Sequence, residues 1–446
     1  MNYTRVLCSI VAATCLSACG GGSDDNSNPA PPTGSGGTTQ TFQAVVVQQT
    51  ECGTERVATH AELLVHDQNW RVLSRHKADS AGRISATISN SSTANVSIIT
   101  FNNAAKAFNV SSMAQHPIRD LGKFYIPGQT AEGCECQLAD VRVSSPIGEL
   151  NSASVQLTGY QSAEQRKNQI AFNEVLFEQV RLCRAPNGNW PLLTAVANSG
   201  GMNAAAGSIR QYSPATEIAI ALNQGVAVIP VTLNSGNASL TELHYTETGS
   251  FNARSRVNGN EVYLFNQLDG IDFVTIRAAE NKFQSTSDGT IWHSVSQRNN
   301  LSLPQTSTLA LTVPFNDAHQ ALEKFLSQDL LASHTNYNLG SVQGFNTFYF
   351  YAQTRLTDGT QYFQSFLGPL QGNYPDEVVP SDYGIESKFS EDAPSTVHVA
   401  VIRYGDNQSY QQFLLEQIER SKLPFKERMT GKWAKYTTVS IQISTQ

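Results

Sequence analysis

The cysteines are the candidate reactive residues of this sequence, and their spacing limits the reactions in which they can take part. The chain has seven cysteines, of which Cys52, Cys134, Cys136 and Cys183 follow the N-terminal segment. The Cys134-x-Cys136 spacing suits either metal ligation or oxidation to disulfides. Because no histidine lies at ligand spacing from this pair, the sequence favours disulfides. We predict neither a metal nor another cofactor.

The usual acid–base residues form no catalytic pattern. The most acidic segment, 376–392, sets six carboxylates against Lys388. Either a calcium loop or a glycosidase pair of acids could draw on it, but its prolines and irregular spacing favour a solvated loop. His66 and Asp67 are neighbours on a predicted strand and would point to opposite faces, so they would not act together. With no nucleophile elbow, zinc-protease helix or phosphate-binding loop in the sequence, we predict no catalytic residue.

Aromatic residues are concentrated in segment 345–366, which alternates like the two strands of a hairpin. Alternation places Tyr349 and Tyr351 on one face and Phe348 and Phe350 on the other. If the Phe348 face is core, the two tyrosines form a candidate binding platform, because exposed aromatic rings stack on sugars or anchor protein partners. The alternative is that both faces are buried between a helix and the sheet.

The N-terminal segment has the pattern of an export signal. Arg5 precedes an apolar run of about eleven residues, which is too short to cross roughly 30 Å of hydrocarbon. The run ends in Leu16-Ser17-Ala18-Cys19, which resembles the lipobox of bacterial lipoproteins. The resemblance implies that residues 1–18 are removed and that Cys19 becomes a lipidated first residue, which anchors the protein through its acyl chains. The alternative is an ordinary secretory signal in which Cys19 is incidental.

Residues 19–41 read as the lipidated cysteine followed by a disordered tether. Between Gly20 and Gln40 no apolar residue is larger than Ala30, apart from prolines, so the segment cannot form a core. In lipoproteins an aspartate directly after the cysteine signals retention in the inner membrane. Gly20 occupies that position here, so the resemblance implies the outer membrane. Whether the body faces the periplasm or the cell surface is left open.

An exported chain reaches an oxidising compartment, where the four remaining cysteines would form two disulfides. The sequence favours Cys52–Cys134 with Cys136–Cys183, because each bridge would then close one predicted domain. Cys52–Cys136 with Cys134–Cys183 is the next pairing.

A formal net charge of −7 and the lack of a basic cluster argue against a nucleic-acid partner. The acyl chains are the membrane contact that we predict.

The chain of 446 residues is too long for one core, and its alternating runs predict a mainly β fold. Residues 42–133 predict a first β-sandwich. Within it, segment 64–84 resembles carboxypeptidase-regulatory-like and Ig-like modules, ending in Ala78-Asp79-Ser80-Ala81-Gly82-Arg83. Asn69-Trp70 stands where that family usually has glycine, and Ala78 where it has threonine. The resemblance implies a non-catalytic spacer or binding domain.

Three more units follow in the predicted organisation. Residues 134–233 form a second Ig-like β-sandwich, with an amphipathic helix over 162–182 as the local alternative to strands. Residues 234–312 form a unit rich in β-hairpins. Residues 313–446 form an α+β domain with one helix that starts at Asn316 or Asp317 and another over 409–422.

One hairpin turn resembles a known enzyme motif. Segment 285–292 resembles the Asp-box of sialidase-type propellers, but Asp288 and Gly289 are adjacent rather than one residue apart, and Ile291 replaces threonine. A looser copy at 357–362 lies about 70 residues on, whereas propeller blades repeat every 40–50 residues. The sequence therefore favours two separate hairpins with Asp-Gly turns.

These observations predict a lipid-anchored protein of the cell envelope that acts as a non-enzymatic scaffold or as a binding protein for a protein or glycan. The alternative is a carbohydrate-active or sialidase-like enzyme that uses the 234–446 half of the chain.

Overall fold

The computed structural model describes most of the chain from Thr39 onwards. The described residues are 39–89, 91–102, 106–146, 148–160, 166–197, 204–246, 249–257, 260–287, 289–313, 318–329, 336–375, 379–390, 392–405 and 409–445. The predicted signal peptide, Cys19 and residues 20–38 of the predicted tether lie outside them. No helix among the described residues is long and apolar enough to span a membrane.

Strands make up most of the described chain, so the predicted mainly β fold is confirmed. The strands of the first half are β1 (Thr39–Thr50), β2 (Glu55–Val57), β3 (Ala61–His66), β4 (Val72–Lys77), β5 (Arg83–Ser89), β6 (Thr93–Asn102), β7 (Ala107–Pro117), β8 (Asp120–Thr130), β9 (Glu135–Ser144), β10 (Val155–Thr158), β11 (Arg166–Ala171), β12 (Glu174–Arg184), β13 (Leu193–Ala197), β14 (Ala205–Ile209), β15 (Ile218–Ala221) and β16 (Gln224–Gly225). Those of the second half are β17 (Ala227–Leu233), β18 (Ser239–Thr246), β19 (Gly249–Val257), β20 (Glu261–Leu264), β21 (Ile271–Thr286), β22 (Gly289–Leu301), β23 (Leu309–Leu311), β24 (Asn336–Asn338), β25 (Thr347–Arg355), β26 (Gln361–Gly368), β27 (Gln371–Asn373), β28 (Ser395–Tyr404) and β29 (Lys435–Thr445).

The α-helices of the described residues lie within 313–446, the part of the chain predicted to be α+β. They are α1 (Ala318–Lys324), which continues as a π-helical turn (Phe325–Asp329), α2 (Tyr410–Ser421) and α3 (Phe425–Met429). The predicted helix over 409–422 is present because the Ser409 hydroxyl accepts a hydrogen bond from the Gln412 backbone N–H and caps the first turn. The proposed caps of the first helix, Asn316 and Asp317, lie outside the described residues.

A twelve-stranded sheet runs through the molecule in the order β19-β18-β21-β22-β29-β28-β25-β26-β7-β6-β3-β4. Its neighbouring strands pair antiparallel except β26 and β7, which run parallel. The sheet contains strands from three of the predicted units, 42–133, 234–312 and 313–446. The boundaries of those units stay a prediction, and the structure adds that a continuous hydrogen-bonded sheet crosses three of them.

The two faces of this central sheet are covered differently. One face, which we call the core face, carries Phe348, Phe350, Val399 and Ile441 into the largest hydrophobic core, where α1 and the side chains of Tyr337 and Tyr374 also pack. The opposite face is covered at the β7-β6-β3 end by a four-stranded sheet of β1, β2, β5 and β8. The side chains that fill this second core include Phe42, Val46, Leu63 and Ile98.

Most of the second unit forms a sandwich of two four-stranded sheets, β10-β13-β14-β16 and β11-β12-β9-β15, whereas β17, at the end of the predicted unit, pairs with β20 and β23. Its core contains Val141, Val175, Leu182 and Ile220. Segment 166–184 forms the β11–β12 hairpin, so strands rather than the alternative helix occupy this part of the chain. Segment 161–165 lies outside the described residues.

Two disulfides lie where the first and second sandwiches meet. Cys52, in the turn after β1, bonds to Cys134, and Cys136 bonds to Cys183, with Cα–Cα distances of 5.8 and 4.1 Å. This is the pairing that the sequence favours. Cys136 and Cys183 lie directly opposite each other on β9 and β12. The Glu51 carboxylate lies close enough to these two sulfurs for the three groups to hold a metal ion. Both sulfurs are bonded in the disulfide, however, and the Glu51 carboxylate pairs with Arg181 at 2.9 Å.

A buried ion pair joins the first sandwich to the C-terminal part of the chain. The Glu62 carboxylate, 2% exposed, accepts hydrogen bonds from the Arg75 guanidinium at 2.9 and 2.8 Å and from the Tyr383 hydroxyl at 2.6 Å. Arg75 also pairs with Asp382 at 2.9 Å. Burial alone raises the pKa of Glu62, but the hydrogen bonds from Arg75 and Tyr383 outweigh it and hold that pKa below its usual range.

Arg75→Met should therefore lower the free energy of unfolding by about 2 kcal/mol at neutral pH, the scale of charge-assisted hydrogen bonds to a buried carboxylate. A carboxyl group whose pKa is depressed in the folded state stabilises the fold at pH values above its unfolded pKa. This stabilisation is lost as the pH falls through the folded pKa. The difference between wild type and variant in urea unfolding should thus shrink as the pH drops below about 4. Arg83→Met, at an exposed position of β5, is the control. A loss that does not change with pH would contradict this assignment.

Candidate functional site

The two tyrosines singled out from the sequence lie on β25, on the face opposite Phe348 and Phe350. Phe348 and Phe350 are 0% and 2% exposed, so the Phe348 side is core, which was the condition for a tyrosine platform. Tyr349 and Tyr351 are half-buried. Burial raises the pKa of Tyr349 to about 12 and also raises that of Tyr351, so both hydroxyls are neutral donors at physiological pH.

Strand pairing extends the position of Tyr351 into a row across six strands. Residues directly opposite each other in antiparallel strands share a face. The row from β21 to β26 consists of Phe283, Trp292, Gln442, His398, Tyr351 and Ser365. The next row, toward the hairpin turns, consists of Ser285, Thr290, Ser444, Thr396, Gln353 and Phe363. We call these two rows the aromatic face.

Two aromatic pairs stand on the aromatic face. Phe283 and Trp292 pack edge to face with ring centroids 5.9 Å apart and are 57% and 44% exposed. Tyr351 and Phe363 lie 6.3 Å apart with rings tilted by 33°. Trp292 and Tyr351 are three strand spacings apart, or about 14 Å. Tyr351 and Phe363 are half-buried, whereas Phe283 and Trp292 are exposed. Large aromatic side chains left exposed on a sheet mark a binding surface rather than a core.

The space between the two pairs is polar but carries no formal charge. The Thr396 hydroxyl lies 3.1 Å from the Ser444 hydroxyl, and the Gln442 amide donates to Ser444 at 3.4 Å. Burial lowers the pKa of His398, which keeps its ring neutral. None of the twelve positions of the aromatic face is Asp, Glu, Lys or Arg. The face therefore offers stacking surfaces separated by neutral donors and acceptors.

Polar contacts hold the rings of the aromatic face in place. The Trp292 indole N–H donates to the Asn281 carboxamide oxygen at 3.2 Å, and the Ser294 hydroxyl donates to the same oxygen at 2.8 Å. The Tyr351 hydroxyl donates to the Gln353 carboxamide oxygen at 2.9 Å. Side chains fixed by such bonds lose less conformational entropy when a ligand binds.

The aromatic face ends where other elements cover the same side of the sheet. Toward α2, the side chains of Tyr404, Tyr410, Phe413 and Trp433 form a small core, and the Tyr410 hydroxyl donates to the Leu367 carbonyl at 2.9 Å. At β7 the four-stranded sheet begins. At the opposite side β18 stops pairing at Ala279, so segment 281–286 of β21 forms an edge beyond it.

The candidate acid–base residues that the structure describes do not gather on this face. Asp358 lies in the β25–β26 turn, where hydrogen bonds from Thr360 and Lys388 lower its pKa to about 2. In the acidic segment, Asp382 pairs with Arg75. Asp288, Asp376, Glu377 and Glu391 lie outside the described residues.

His66 and Asp67 have separate hydrogen-bond partners, as predicted, but β3 ends at His66 and Asp67 lies in the turn that follows rather than on the opposite face of the strand. Both ring nitrogens of the buried His66 are hydrogen-bonded, to the Trp70 carbonyl and the Ser97 hydroxyl, and burial lowers its pKa to about 4. The Asp67 carboxylate accepts from the backbone N–H groups of Asn69 and Arg71. Both residues are structural.

The two Asp-box-like segments are turns of two hairpins within one sheet, β21–β22 and β25–β26, as the sequence favours. Each hairpin contributes one aromatic pair to the aromatic face. Sequence reasoning found Tyr351 but missed its partner Phe363 and the pair Phe283 and Trp292. The missed signal was the alternation on both sides of the first Asp-Gly turn, which places those two residues opposite each other.

The fold and the face together define a β-rich protein with an uncharged aromatic surface that no other described element covers. No protein-family model and no curated protein matches the sequence. Among solved structures, the pilus adhesin SpaC from Lactobacillus rhamnosus GG in its open conformation is 10% identical, with a TM-score of 0.17, over 77% of this chain and 44% of that chain. This chain thus spans less than half of that adhesin. A likeness at this level carries no inference about function, and the aromatic face is interpreted from its own geometry.

Proposed function

We propose that this chain is a lipid-anchored, non-enzymatic binding protein of the cell envelope, and that it binds a glycan through the aromatic face. The observation that supports this is the pair of aromatic platforms on a sheet face that no other described element covers and that has no charged residue in its two rows. Sugars present apolar ring faces and many hydroxyl groups. Aromatic rings bind the former, and the hydroxyls and amides between the pairs bind the latter.

The anchoring part of the proposal rests on Leu16-Ser17-Ala18-Cys19. Acyl chains on Cys19 would hold the protein in the outer membrane, with the segment that follows as a tether. Proteolysis of intact cells, followed by detection of the C-terminal strand β29, would distinguish a surface-facing body, which is degraded, from a periplasmic one, which is protected.

Cys19→Ser should abolish incorporation of a palmitate analogue during growth, because the thiol is the acceptor of the first acyl chains in the lipoprotein reading. The measurement is labelling of the immunoprecipitated protein, together with its partition into detergent. Cys15→Ser, four residues earlier in the apolar run, is the matched control and should label normally. Labelling that persists in the Cys19 variant would contradict lipidation at this residue.

Trp292→Ala and Tyr351→Ala should each weaken binding of the mature protein to its glycan by about tenfold or more, since each removes one stacking platform. Binding is measured on immobilised neutral and anionic polysaccharides. Phe172→Ala removes an aromatic ring that is 69% exposed in the second sandwich, away from the aromatic face, and should bind as wild type. If the two face variants bind as well as the Phe172 variant, the aromatic face is not the binding site.

A further inference from the structure

We infer that the ligand of the aromatic face is an uncharged, extended glycan that stacks on both aromatic pairs at once. This inference rests on the proposed function and narrows it to one class of glycan. It combines the lack of charge on the face with the distance between the two platforms.

The charge pattern selects a neutral ligand. In addition to the two rows of the aromatic face, the next row toward α2 is uncharged; it consists of Asn281, Ser294, Ser440, Ala400, Tyr349 and Leu367. The nearest arginines on that side are already engaged. Arg277 donates to the Ser294 hydroxyl at 3.1 Å, and Arg298 lies over the Tyr436 ring at 4.6 Å. On the other side, Arg355 lies at the end of β25, two residues beyond Gln353, so it borders the aromatic face but is not part of it.

An anionic polymer needs cations in contact with its charges, and a protein of net charge −7 would repel it elsewhere. A neutral glycan meets no such penalty. Its hydroxyl groups match the unused donor and acceptor capacity of Gln442, Thr396 and Ser444 in the middle of the face.

The distance between the platforms selects an extended chain. Trp292 and Tyr351 are about 14 Å apart across β29 and β28, so one sugar ring can stack on one pair but not on both. A chain that reaches both pairs gains the second contact without a second loss of translational freedom. Beyond Ala279 no strand of the described residues pairs with the outer edge of β21, so a long chain can continue past the Phe283–Trp292 pair at segment 281–286.

The experiment is calorimetric titration of the mature protein with cello-, malto- and xylo-oligosaccharides of increasing length, at low and high ionic strength. In the series that binds, affinity should rise by about tenfold or more at the length that first spans both pairs. It should change little with salt, because no ion pair forms. Trp292→Ala and Tyr351→Ala should each remove this gain, so that the affinity of either variant no longer rises at the length that spans both pairs. Phe172→Ala should keep the gain.

Two results would overturn the inference and leave the proposed function in place. One is face-dependent binding that is confined to anionic polysaccharides and weakens with salt. The other is an affinity that does not rise with chain length, or that rises equally in the Trp292 variant. If instead no polysaccharide of either charge binds, or binding ignores the face variants, the proposed function itself is wrong. Unfolding in urea confirms that each variant is folded.

Discussion

Phe348→Ala should lower the free energy of unfolding by about 4 kcal/mol, whereas Tyr351→Ala, three residues on in the same strand, should cost about 1 kcal/mol. Phe348 is 0% exposed, and its ring packs against those of Phe325 and Tyr337 with centroids 5.0 and 4.7 Å apart. Its removal leaves a cavity that these neighbours cannot fill. Tyr351 has solvent on its open side and makes one side-chain hydrogen bond, to Gln353.

Function should follow the opposite order. At a temperature where both variants are folded, Phe348→Ala should bind the glycan as tightly as wild type, and Tyr351→Ala should bind it more weakly. Urea unfolding followed by tryptophan fluorescence measures the first property, and titration of the same samples measures the second. Equal destabilisation by the two substitutions would mean that the Tyr351 side of the sheet is also core, and the aromatic face would no longer be an open surface.

Local alternation was sufficient to separate the two faces of β25 but not to decide which face is covered. That depends on pairing between segments far apart in the chain. Trp292 and Tyr351 are brought into one row because β29, near the C terminus, inserts between β22 and β28. No local pattern in the sequence encodes that insertion.

The continuity of the central sheet was hidden for the same reason. It depends on the parallel pairing of β26 with β7, which joins residue 107 to residue 361. Parallel neighbours have no hairpin turn between them and therefore leave no turn signal to read. The disulfide pairing was more accessible, because Cys52–Cys134 and Cys136–Cys183 each close one predicted domain, and the structure has both bridges.

Replacing both cysteines of either bridge by alanine should lower the free energy of unfolding by about 4 kcal/mol, because each bridge closes a long loop in the unfolded chain. The sequence separations are 82 residues for Cys52–Cys134 and 47 for Cys136–Cys183. Both cysteines must be changed together. A single substitution such as Cys183→Ala frees the Cys136 thiol two residues from the remaining bridge, where thiolate attack on that bridge can exchange the pairing.

The measurement is urea unfolding of the two double variants and of wild type, each with and without reductant. Reduced wild type, which lacks both bridges, should have a lower free energy of unfolding than either variant measured without reductant. Reductant should also destabilise each variant, because one bridge remains in each. Cleavage after Glu135, which separates Cys134 from Cys136, identifies the pairing: under non-reducing conditions the Cys134 peptide should carry Cys52, and the Cys136 peptide should carry Cys183. Recovery of Cys52 with Cys136 would show the alternative pairing.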